Sequence, residues 1–105
     1  MARPWRVRDR ASFAALRRSG ARTRLGPLSI TRVAPEAGGS PVPAVAFAIG
    51  RSVGCAVERN RLRRRLRAIL ADADLAPGTY LVGAGRKAAT LSFQELRVLV
   101  TGGLA

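Results

Sequence analysis

The chain has 105 residues, a net charge of +13, no histidine and a single cysteine. That length suits one domain with a modest core. The missing histidines and lone Cys55 exclude a zinc site, a histidine-based catalytic constellation and an internal disulfide, and agree with a reducing, cytoplasmic setting. No apolar run is long enough to span a bilayer and no signal-peptide core follows the N-terminus, so no membrane association is expected.

In chain order, residues 1–8 form a basic, extended lead-in in which Trp5 either packs on the domain edge or stacks a base. Asp9 can cap a helix running to about Arg18, with Phe13 and Leu16 on its narrow apolar side and Gly20 as its stop. Arg17, Arg18, Arg22 and Arg24 extend the basic surface. Leu28 to Val33 alternates as a strand, and the Gly/Pro-rich 35–43 segment is a loop. A second strand spans Ala44 to Ile49, with Val45, Phe47 and Ile49 on one face and Ala44, Ala46 and Ala48 on the other. The large face should meet helices; the shallow alanine face is suited to floor a groove. Gly50 to Gly54 is a turn. A helix follows from about Ala56 to Ala71, Pro77-Gly78 is a turn, Thr79 to Ala84 a third strand, and 85–87 a basic exit. Ser92 and Glu95 form a capping box, with Leu91 and Leu96 as its staple, opening a last helix from Phe93 to about Thr101. The pattern predicts an α+β architecture over residues 1–105: a single-domain α/β sandwich, one small sheet with helices packed on it and a β-α-β crossover around the middle helix.

That middle helix dominates the chemistry. From Arg59 to Arg67, six of nine residues are arginine, while Leu62, Leu66, Ile69 and Leu70 make one apolar stripe. Asn60, Arg63, Arg64 and Arg67 point away from the stripe; Arg59, Arg61 and Arg65 flank it. Like charges so dense favour a polyanionic partner, and planar guanidinium groups suit phosphate. Nucleic acid is therefore the expected partner, in preference to a merely solvated face. The six acids are scattered along the chain; Asp72 and Asp74, at a helix end, are a weak candidate for a metal pair, and a solvated terminus is the simpler reading.

The stretch Gly50-Arg-Ser-Val-Gly-Cys-Ala-Val-Glu-Arg-Asn-Arg-Leu-Arg-Arg-Arg-Leu-Arg67 resembles the signature of the bacterial ribonuclease P protein component. Gly54, Ala56, Val57, Arg59, Asn60, Arg61, Arg64 and Arg67 match it identically, and Arg51 and Arg63 match with arginine for lysine. Ser12-Phe13, Gly20, the Tyr80 strand and the Leu91–Glu95 segment fit in order. Ser52, Cys55 and Gly85 depart from it, and Arg17 and Thr31 stand where some relatives carry aromatics.

The resemblance implies a ribosomal-protein-like sandwich with a left-handed crossover, where the general rule for β-α-β units would favour a right-handed one. It implies that an RNA subunit cleaves precursor tRNA with Mg2+ held by that RNA and the substrate, and that the protein itself has no catalytic residue. The RNA subunit is then bound by Arg51, Arg59, Asn60, Arg61, Arg63, Arg64 and Arg67. The 5′ leader of precursor tRNA meets Phe13, Arg17 and Arg18, and no protein partner is required. The alternative is a structural RNA-binding protein of the ribosome. A protein-only nuclease lacks its acid/base and metal groups, and a membrane-active cationic helix conflicts with the strands and capping box.

Overall fold

A computed structural model describes residues 5–6, 20–34 and 43–104. The described residues form one five-stranded mixed sheet with two helices. The strands are β1 (Trp5–Arg6), β2 (Ala21–Leu25), β3 (Leu28–Val33), β4 (Ala44–Ile49) and β5 (Thr79–Ala84), in the order β1-β4-β5-β3-β2. The helices are α1 (Ala56–Asp72) and α2 (Phe93–Leu104). The helix expected over residues 9–18 lies outside the described residues.

Strands β4 and β5 are parallel and adjacent, so α1 is the crossover between them; β3 runs antiparallel to β5, and β2 antiparallel to β3. The register divides the sheet into two faces, because directly paired residues share a face and alternate residues change it. One face carries the rows Leu25-Leu28-Ala84-Ile49 and Thr23-Ile30-Val82-Phe47. Leu28, Ile30, Val82 and Ile49 are buried there against Leu62, Leu66, Ile69 and Leu70 of α1 and Leu96 and Val100 of α2. The stripe read from the sequence is thus the seam of the core. Each fully buried leucine contributes roughly 1.5–3 kcal/mol by leaving water.

Several boundaries differ from the sequence reading. Ala21–Leu25 is a strand, although four of its five residues are exposed. With Arg22 and Arg24 on one face and Thr23 on the other, its alternation is not an apolar one; its pairing with β3 across a tight hairpin makes it a strand. Gly26 supplies the positive φ of +62° which that hairpin needs. The turn after Gly50 is a short 3-10 helix over Arg51–Val53 with Val53 buried, and the basic exit after β5 is another over Arg86–Thr90 around the fully buried Ala88. Helix α2 continues through Gly102 and Gly103 to Leu104, beyond the expected end near Thr101. Gly103 lies so close to Leu25 that a Cβ there would collide with it, so the lack of a side chain lets the helix end close on β2.

Tyr80 ties the far end of the sheet. Its hydroxyl donates to the Ala76 carbonyl at 2.6 Å and accepts from Arg32 Nε at 3.2 Å, while Arg32 Nη2 donates to the Pro77 carbonyl at 2.9 Å. Arg32 is thereby a structural arginine that holds the loop entering β5.

Candidate nucleic-acid interface

Helix α1 starts at Cys55, an N-cap in extended conformation. Glu58 Oε1 accepts the Cys55 backbone N–H at 3.1 Å, one half of a capping box. That hydrogen bond, reinforced by the Cys55 thiol and more weakly by the charge of Arg61, holds the Glu58 carboxyl below its usual pKa. Gly54, at φ +150°, leaves the space this reach needs: a Cβ there would sit 2.6 Å from Glu58 Oε1. Helix α2 opens the same way. Ser92 N–H donates to Glu95 Oε1 at 2.9 Å and Glu95 N–H to Ser92 Oγ at 3.1 Å, and these bonds lower the Glu95 carboxyl too. Leu91 and the fully buried Leu96 form the expected staple.

The arginines of α1 separate by what they touch. Arg61, Arg64 and Arg67 are exposed, as is Asn60. Arg63 is half-buried and its Nη1 donates to Asn60 Oδ1 at 3.0 Å, one turn back. Asn60 therefore orients a guanidinium as well as offering its own amide. Arg67 lies over the Phe47 ring, 5.6 Å from its centroid, which holds a flexible side chain against the edge of β4. Arg59 is half-buried, and its Nε is shielded from solvent without a hydrogen-bond partner among the described residues. Arg51, on the 3-10 turn before the helix, is exposed. On the opposite flank Arg65 turns toward α2 and donates Nη1 to the Leu91 carbonyl at 3.3 Å. Asp72 meets Arg97 at 3.7 Å in an exposed ion pair, worth at most about 1 kcal/mol. Asp72 is thus engaged with α2, and among the described residues no three His, Cys, Asp or Glu side chains are grouped to hold a metal ion.

Of the residues expected to meet the RNA subunit, Arg51, Arg59, Asn60, Arg61, Arg63, Arg64 and Arg67 all lie on α1 or the turn that leads into it. Phe13, Arg17 and Arg18 lie outside the described residues; so does the side chain of Trp5, whose backbone pairs with Ala44. The alanine face of β4 is mixed: Ala48 is exposed and lines a groove, whereas Ala46 is buried. The sequence reading did not single out the Arg67–Phe47 contact, because 20 residues and a turn separate a strand residue from a helix residue.

An arginine-faced crossover helix on a small mixed sheet defines a basic α+β module, and comparison with known proteins identifies which. The family model for ribonuclease P matches residues 1–104. The ribonuclease P protein component of Acidothermus cellulolyticus is 41% identical over 96 residues, covering 88% of this chain and 78% of that protein. That of Thermobifida fusca is 35% identical over 99 residues, covering 87% and 67%. Among solved structures, the ribonuclease P protein of Staphylococcus aureus superposes with a TM-score of 0.82 at 15% identity, covering 95% of this chain and 92% of that one. The protein from Thermotoga maritima gives 0.81 at 20% identity, covering 94% of each. The chain belongs to the ribonuclease P protein family and has its α+β fold. These relatives give the ribosomal alternative no support.

Proposed function

We propose that this protein is the protein subunit of a ribonuclease P that removes the 5′ leader of precursor tRNA and so forms the mature 5′ end. The observation that carries the reading is the arginine face of α1: a helix whose leucine seam is fully committed to the core while Arg61, Arg64 and Arg67 stand exposed. Such a face binds phosphates without cost to the fold. Arg51, Arg59, Asn60 and Arg63 extend it, and Asn60 and Phe47 fix the directions of Arg63 and Arg67 in advance. Preorganised guanidinium groups lose less entropy on binding RNA than freely rotating ones.

In this reading the protein binds and orients RNA, and it supplies no catalytic residue. Magnesium ions held by the RNA subunit and the substrate would activate water and stabilise the leaving oxygen. The protein's own contribution is positive charge, which brings two polyanions together and lowers their mutual repulsion. Phe13, Arg17 and Arg18 are proposed to meet the leader, the first by stacking on a base and the others through the backbone. The setting is cytoplasmic, with no membrane and no protein partner; among the described residues, no helix is long and apolar enough to cross a membrane.

Reconstitution is the test. The protein with its catalytic RNA should cleave a precursor tRNA at physiological magnesium, and the protein alone should not. Cleavage by RNA-free protein, or none by the pair, would overturn the reading. Phe13→Ala should weaken binding of precursor tRNA while leaving mature tRNA binding unchanged, with a melting curve run beside it.

A further inference from the structure

Strands β4 and β5 end in the same way. Their pairing relates each residue of β4 to the residue 35 further on in β5, as Ala44 to Thr79 and Ile49 to Ala84. Carried past the strand ends, that offset relates Gly50 to Gly85, Arg51 to Arg86, Ser52 to Lys87 and Val53 to Ala88. The backbone follows it. Gly50 stands at φ −93° and ψ −175°, and Gly85 at −95° and −176°. The Val53 N–H donates to the Gly50 carbonyl and the Ala88 N–H to the Gly85 carbonyl, both at 3.1 Å. Each of the two short 3-10 helices drives its third residue into the core, Val53 in one and Ala88 in the other. At three residues per turn the first two then face outward. Arg51, Ser52, Arg86 and Lys87 are all exposed. Thr90 Oγ1 donates to the Lys87 carbonyl at 2.7 Å and the Gly85 N–H to the Pro27 carbonyl at 2.7 Å, so the second turn is braced at both ends.

Paired strands lie about 4.8 Å apart, so the two turns stand side by side, and they pack on each other and on α1. The Arg65–Leu91 bond falls just past the second turn. Arg86 and Lys87 therefore lie beside the part of α1 that precedes Arg65, where Arg61 is exposed. Glu58, the carboxylate of that part, is turned to the Cys55 N–H. Among the described residues, no carboxylate pairs with Arg51, Arg86 or Lys87. Like charges held on adjacent, braced turns repel one another, and a polyanion relieves that repulsion. We propose that the paired turns form a phosphate clamp, with Arg51 on one jaw and Arg86 and Lys87 on the other. The clamp grips the backbone of the RNA subunit and carries its contact from α1 round the end of the sheet to β5. The identity of that RNA rests on the ribonuclease P reading above.

Lys87 is the chain's only lysine, so an amine-reactive acetylating reagent reads it as a single modified peptide. Saturating catalytic RNA should protect Lys87 from acetylation, and adding precursor tRNA to the complex should change that no further. Arg86→Gln/Lys87→Gln should bind the catalytic RNA about tenfold more weakly, a factor of about three for each exposed cation, with an unchanged melt. The slope of log affinity against log salt should shrink by about 1.4 to 1.8, the values for two phosphates of a single strand and of a duplex. Moving the lysine separates place from net charge. Lys87→Ser/Ser52→Lys keeps the cation within the clamp and should bind as the wild type does. Lys87→Ser/Thr101→Lys puts it on the exposed last turn of α2 and should bind as weakly as Lys87→Ser alone. Wild-type protein that fails to bind the catalytic RNA would overturn the ribonuclease P reading and the clamp with it. Wild-type binding that leaves Lys87 reactive, an unweakened Gln double variant, or equal affinities of the two relocated variants would overturn the clamp alone. Protection that appears only when precursor tRNA joins the complex would overturn the assignment to the RNA subunit.

Discussion

The two flanks of α1 carry the same residue type and do different work. On one flank Arg65 is drawn down to the Leu91 carbonyl and, two turns further on, Asp72 meets Arg97, so the flank binds the helix to α2. Toward β4, Arg67 lies on Phe47, and Arg63 is steered by Asn60, while both keep guanidinium donors for a ligand. The difference teaches that an arginine count states how much charge a helix carries, whereas neighbours decide how much of it is available. Arg32, spent on Tyr80 and Pro77, repeats the lesson within the sheet.

The contrast is sharpest between the seam and the outer face. Leu66→Ala should destabilise the fold by about 2–5 kcal/mol, since Leu66 is fully buried between α1 and the sheet. A denaturant melt reads this, and a loss below about 1 kcal/mol would mean that the helix does not anchor the core.

Next in size, Arg64→Ala should weaken binding to the catalytic RNA by about 1–2 kcal/mol and leave the melt unchanged, as expected for a lost charge-assisted hydrogen bond from an exposed side chain. Affinity of the wild-type protein should also fall steeply with salt. An altered melt with unaltered RNA binding would reverse the assignment of faces.

Arg65→Ala should do the opposite on a smaller scale. It removes a half-buried donor to the Leu91 carbonyl and should cost about 1 kcal/mol in the melt, with RNA affinity changed less than in Arg64→Ala. If the two variants behave alike, the flanks are not distinct.

The smallest effect is that of the helix caps. Glu58 and Glu95 are held below the ordinary value of 4.5 by the N–H groups of Cys55 and Ser92. A carboxyl lowered in the folded state contributes stability that is complete above its unfolded pKa and is lost as pH falls through the folded one. Wild-type protein should therefore lose stability below about pH 4.5 relative to Glu58→Gln/Glu95→Gln, which cannot titrate there. Parallel acid melts of the two proteins measure it, and coincident curves would show that the caps contribute nothing through their charge.

Much of the fold was legible in the chain because periodicity is a local property. The β3, β4 and β5 strands begin and end where alternation predicts, and α1 extends one residue past its expected end. The candidate interface was legible in part: of the outward set Asn60, Arg63, Arg64 and Arg67 that helical geometry gives, Asn60, Arg64 and Arg67 are exposed, whereas Arg63 is half-buried against Asn60 and Arg61, expected on the flank, is exposed; the Ser92–Glu95 box follows from spacing alone. Strand β2 escaped notice because its exposed residues have no apolar alternation, and its state depends on a partner strand.

The sequence by itself determined the charge, the leucine seam of α1, the Ser92–Glu95 cap and three strands, since each is set by residues within a few turns of one another. Only the tertiary structure decided which arginines are spent and which are free. It also decided that Arg22, Arg24, Ser29, Gly83 and Ala48 share one trough. Those five residues come from four strands, and the sheet register that aligns them is a product of long-range pairing between segments as much as 54 residues apart, from Ser29 to Gly83. Register is fixed by burying the other face of the sheet, and that requires the helices to be in place.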